Sequence, residues 1–70
     1  MKKSPIYTLG EILAMRREQC QLTQKQLSDE LGYTTPQFVS NWERNIAPVP
    51  TKSFRKISQL LGIPMRELID

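Results

Sequence analysis

Histidine is absent from this 70-residue chain, and cysteine occurs once, at Cys20. These two gaps exclude the Cys/His clusters of structural zinc sites and any intramolecular disulfide. The lack of histidine also removes the commonest proton-transfer partner of catalysis. No glycine-rich phosphate loop and no paired-carboxylate site stands in for it, so neither an enzyme nor a cofactor is expected. Cys20, on an apolar helix face, reads as a small core or boundary residue. Apolar runs are only a few residues long, far short of the roughly 20 that span a bilayer, and Met1, Lys2 and Lys3 are not followed by a signal-peptide core. The expectation is a cytoplasmic protein with no membrane association. A chain of this length holds one small domain and leaves no room for a second core.

Charge is present in modest excess, ten Lys and Arg against seven Asp and Glu, for a formal net charge of +3. Such a balance suits a nucleic-acid partner, and its distribution strengthens the case. Arg44, Lys52, Arg55 and Lys56 fall in the second half with no acid among them. This pattern favours a basic face; the alternative is ordinary solvated charge.

Punctuation divides the chain into short helices with no strand signal. Residues 1–7 read as an N-terminal arm and 8–70 as the folded domain. The first helix is predicted from Thr8 or Leu9 to Cys20, with Leu9, Ile12, Leu13 and Cys20 on one face and Thr8 capping opposite Glu11. In the second, Thr23 and Gln26 make a capping box, Leu22 and Leu27 a hydrophobic staple, and Gly32 supplies the left-handed stop. A third helix is predicted with Thr35 as N-cap and Pro36 in its first turn, where the missing N–H costs nothing. Val39 and Trp42 then face inward, and Gln37, Ser40, Asn41 and Arg44 face outward. The run Ile46, Ala47, Pro48, Val49, Pro50 cannot be an ordinary helix. A fourth helix is predicted from Thr51 to Leu61 with Phe54, Ile57, Leu60 and Leu61 buried and Gly62 as its stop. Pro64 opens a last short helix carrying Met65, Leu68 and Ile69.

Two helices joined by a short glycine-containing turn, the second bearing amides and hydroxyls, meet the requirements of a recognition helix. The major groove admits a helix, and glutamine and asparagine can read adenine there through two hydrogen bonds. A wet surface stripe is the plainer alternative for such a helix taken alone. The string Leu22, Thr23, Gln24, Lys25, Gln26, Leu27, then Leu31 and Gly32, then Val39, Ser40, Asn41, Trp42, Glu43 resembles the phage repressor and Cro-type, or Xre-like, helix-turn-helix family. The likeness runs from about Leu9 to Ile63, with Arg17 where that family carries an arginine in its first helix.

The resemblance implies an all-α, lambda-repressor-like domain of four to five helices acting as a sequence-specific regulator, a repressor, on double-stranded DNA. It further implies that Thr35, Gln37 and Asn41 face base edges, that Gln24 contacts a phosphate, and that Ser40 and Arg44 lie nearer the backbone. Lys25 could add charge beside Gln24. Arg17 and Glu43 are implied to pair beneath the motif. The chain departs from the family pattern in three places: the segment from Gly32 to Val39 is one residue longer, Pro36 stands where a polar base reader is common, and Gln21 and Asn45 replace frequent glycines. Phe38 is expected to pack against Tyr33 or the core edge, with a thymine methyl as the alternative contact. One helix reads only a few base pairs, so a homodimer on an inverted-repeat operator is expected, with Met65, Leu68 and Ile69 as its possible seam. The competing reading is a protein-interaction module or an antitoxin-type regulator bound to a partner protein.

Overall fold

Two threonines decide where the first two helices begin. The Thr8 hydroxyl accepts the Glu11 N–H at 3.1 Å while the Glu11 carboxylate accepts the Thr8 N–H at 2.9 Å. Thr23 and Gln26 repeat the exchange at 3.0 and 2.8 Å. Each box satisfies donors that a helix start otherwise leaves to water. The computed structural model describes residues 7–66, whose helices are α1 (Leu9–Gln19), α2 (Gln24–Glu30), α3 (Gln37–Glu43) and α4 (Phe54–Leu61), the last led in by a 3-10 turn at Thr51–Ser53. No strand occurs among the described residues, which fold as an all-α domain.

The first three helices end in the same way. After α1, Gln21 takes a positive φ of 60°, its N–H reaches the Glu18 carbonyl and the Leu22 N–H reaches that of Arg17. Gly32 after α2 and Asn45 after α3 repeat the pattern with φ of 90° and 62°. This pair of bonds about a left-handed residue is the Schellman motif, which uses carbonyls that the helix cannot satisfy itself. Gly62 closes α4, also left-handed at 68°.

Leu13, Leu27, Val39, Trp42, Ile57, Leu61 and Ile63 form one buried core to which all four helices contribute. Leu9, Ile12, Leu22, Leu31, Tyr33, Phe54 and Leu60 pack around it half-buried. Three local expectations need correction. Cys20 is exposed: α1 stops one residue before it, so the face that carries Leu13 does not extend that far. Phe54 and Leu60 cover the core's edge and are not fully buried. The third helix starts one residue later than the sequence suggests. Pro36 flanks it, its carbonyl accepting the Ser40 N–H at 3.0 Å, and Thr35 caps from one position further back by accepting the Gln37 N–H at 3.3 Å. Of the proposed seam, Met65 is exposed, and Leu68 and Ile69 lie outside the described residues. No described helix is long and apolar enough to cross a membrane.

Candidate nucleic-acid interface

The turn between α2 and α3 is fixed from inside. Ser28 is fully buried, and its hydroxyl donates to the Thr35 carbonyl, tying the body of α2 to the approach of α3. Leu27 meets Val39 and Trp42 in the core below. Tyr33 packs edge-on against Trp42, with ring centroids 5.7 Å apart, and stacks on Phe38 at 4.6 Å. Phe38 thus leans on Tyr33 while 47% of its surface stays in solvent. An aromatic pair in these geometries contributes about 0.5–1.5 kcal/mol beyond its buried area.

A second brace runs beneath the two helices. Arg17 Nε donates to Glu43 Oε2 at 2.6 Å and its NH2 to Oε1 at 3.1 Å, while NH1 reaches the Leu22 carbonyl at 2.7 Å. Gln24 Nε2 adds a bond of 2.9 Å to Glu43 Oε1. One guanidinium therefore joins α1, the segment before α2 and the end of α3. The Arg17 and Glu43 side chains are only 11% and 6% exposed, so water screens the pair poorly. The hydrogen bonds to Glu43 raise the Arg17 pKa above its ordinary value, against the desolvation that lowers it. An ion pair this far from solvent adds orientation more than net stability, since taking both charges out of water opposes their attraction.

Held in this frame, α3 turns Val39 and Trp42 inward and leaves Gln37 and Arg44 exposed, with Asn41 and Ser40 half-buried. Gln37 Nε2 donates to Asn41 Oδ1 at 2.9 Å, and Arg44 NH2 donates to the same oxygen at 3.3 Å. The three side chains thus form one hydrogen-bonded line along the helix. Thr35 lies just before α3, half-buried, its hydroxyl engaged with the Gln37 N–H and its carbonyl with Ser28. Lys25 is exposed and paired with Asp29 at 2.6 Å. An exposed pair of this kind is worth about 0–1 kcal/mol, so a phosphate could replace the carboxylate at little cost. Arg44, Lys52, Arg55 and Lys56 are exposed and form no ion pair with any described residue.

Sequence reasoning missed the joint between α1 and α3. Gly10 is buried where α1 meets the end of α3, and a Cβ there would stand 2.3 Å from the Trp42 carbonyl oxygen. Asn45 closes the same joint by donating to the Thr8 hydroxyl at 3.0 Å. The available signal was the glycine itself, which costs about 1 kcal/mol in a helix and so marks a packing reason when present. Ser28 gave no comparable sign. The bond from Gln24 to Glu43 was also unforeseen.

The helix-turn-helix family matches residues 13–68, from Leu13 in α1 through the whole turn unit and α4. No curated protein matches the chain, and no solved structure does.

Proposed function

Because the chain belongs to the Cro/Xre-type helix-turn-helix family of DNA-binding regulators, we propose that it is a sequence-specific transcriptional repressor that reads the major groove of double-stranded DNA with α3, as a homodimer. The observation that carries this reading is the hydrogen-bonded line of exposed Gln37, half-buried Asn41 and exposed Arg44 on a short helix whose other face is locked into the core. A reader of base edges must arrive in one orientation, and the brace of Arg17, Gln24 and Glu43 supplies it without occupying the outer face. Gln37 and Asn41 meet base edges, with Thr35 at the edge of the contact. Gln24, Lys25, Ser40 and Arg44 contact the sugar-phosphate backbone, where they set register and orientation. Gln24 keeps one amide N–H free for a phosphate after its bond to Glu43.

Dimerisation is part of the proposal because a single short helix reads too few base pairs to single out a genomic site. Two-fold symmetry then requires an inverted-repeat operator with half-sites about 34 Å apart. The proposed seam is Met65, Leu68 and Ile69. Selection of bound duplexes from a random pool tests the whole reading: an enriched palindrome supports DNA reading and dimerisation together. Enrichment of no sequence would favour the protein-interaction module.

A further inference from the structure

An asparagine side chain offers a carbonyl oxygen with two lone pairs and an amino group with two donor hydrogens. In α3 the oxygen of Asn41 accepts from Gln37 Nε2 and from Arg44 NH2, at 2.9 and 3.3 Å. Arginine can only donate, so the Asn41 atom that faces Arg44 must be its oxygen. This fixes the hand of the Asn41 amide on chemical grounds, and Gln37 must then turn its own amino group toward the same atom. Both lone pairs of Asn41 are committed to its neighbours on α3, and neither of its amino hydrogens is bonded to a described residue. Gln37 is left differently: one amino hydrogen is used, while the second and the carbonyl oxygen remain available.

Resting on the reading of α3 proposed above, we infer that Asn41 meets DNA as a donor only, and that the base it faces presents a keto edge, guanine O6 and N7 or thymine O4. Adenine and cytosine turn an amino group to the same place in the major groove. An amino group there gives the Asn41 amino group no acceptor, so cytosine offers it no bond and adenine only one, at N7, where guanine offers two. The two-bond pairing with adenine that asparagine can generally make is closed to Asn41, because it needs the oxygen that Gln37 and Arg44 occupy. Gln37 retains that pairing, with its free oxygen toward adenine N6 and its second hydrogen toward N7. The line of side chains therefore assigns a two-part pattern to each half-site, adenine for Gln37 and a keto base for Asn41 one helical turn further on.

The inference is tested by selecting duplexes from a random pool with the wild type, Asn41→Ala and Asn41→Asp, each checked for helix content by circular dichroism. The position that alanine flattens is the one Asn41 reads, and the wild type should prefer guanine there by about five- to a hundred-fold over cytosine, with thymine, which offers one acceptor, between them. Aspartate keeps an oxygen for Gln37 and Arg44 but has no donor, so at that position the preference should invert to adenine or cytosine. Adenine at the Gln37 position should persist in both variants. A wild-type preference for adenine or cytosine at the flattened position would overturn the inference, as would an unchanged preference in Asn41→Asp or a consensus that alanine leaves intact. If the added negative charge weakens all binding by the aspartate variant, the wild-type preference at the flattened position decides alone. Enrichment of an operator with the wrong base removes only this inference; a wild type that enriches no sequence removes the DNA-reading function as well.

Discussion

A Cβ on Gly10 would meet the carbonyl oxygens of Trp42 and Glu43 at 2.3 and 2.9 Å and the Asn45 side chain at 2.8 Å. Two of these three neighbours are backbone, so α1 and the end of α3 would have to part. Gly10→Ala, although it improves helix propensity, should therefore destabilise the domain by about 1–3 kcal/mol, the usual cost of overpacking. Thermal unfolding would report this as a fall of roughly 4–8 °C for each kcal/mol; an unchanged or raised midpoint would mean that the joint is loose. Arg17 and Glu43 are a second point where one residue holds two helices. Breaking such a pair from one side leaves the other charge without its partner, which is worse than removing both. The double variant Arg17→Ala with Glu43→Met should thus be less destabilised than the sum of the singles, with a coupling of about 0.5–3 kcal/mol. Additivity in urea unfolding would show that the contact carries no energy. The raised arginine pKa gives the sign of the pH dependence: stability from Arg17 is intact throughout neutral pH and is lost only as alkali titrates the guanidinium in the folded state.

Helix ends carry a contrast of the same chemistry in two settings. Gln21 and Asn45 both sit in the left-handed region that glycine adopts without strain, at φ of 60° and 62°. For glutamine this costs about 1–2 kcal/mol, against which glycine adds about 0.4–1 kcal/mol of unfolded-state freedom. Gln21→Gly should therefore stabilise by roughly 0.5–1 kcal/mol, the difference of those two effects. Asn45→Gly should not, because asparagine tolerates the conformation better and its side chain bonds the Thr8 hydroxyl at 3.0 Å. Denaturant midpoints of the two variants should move in opposite directions or only the first should move; equal gains would show that the bond to Thr8 contributes nothing. These ends also mark what the sequence discloses. Thr8 with Glu11 and Thr23 with Gln26 are readable because a capping box is settled within four residues, and Gly32 and Gly62 because a left-handed stop is local. The start of α3 lies one residue later than the sequence suggests, since Thr35 and Pro36 offer two ways to begin and the bond from Ser28 ties up the Thr35 carbonyl. Cys20 kept the period of the α1 face but not its burial, because a helix that ends at Gln19 carries its pattern no further. The outward residues of α3 follow from the inward pair Val39 and Trp42. Their bonds to one another do not, since amide orientation depends on the three-dimensional neighbours that each side chain meets.

Over the whole molecule, the net charge is +3, and Arg44, Lys52, Arg55 and Lys56 are exposed with no ion pair to a described acid. Binding to duplex DNA should accordingly be driven in large part by release of counterions from the phosphates. A symmetric dimer that neutralises about 6 phosphates should give a slope near −5 in a plot of log affinity against log salt, and a single subunit about half that value. The slope therefore counts subunits as well as charges. Leu68→Glu places a charge in the proposed seam, and as a folded monomer it should bind the operator weakly with the shallower slope. Its fold is checked by circular dichroism and its mass by sedimentation; an unfolded variant would assign Leu68 to the core instead. A wild type that sediments as a monomer on its operator, with the shallow slope already present, would remove the dimer. Affinity that stays constant between low and moderate salt would remove the DNA-binding reading, because a protein that displaces no counterions is not held by phosphates.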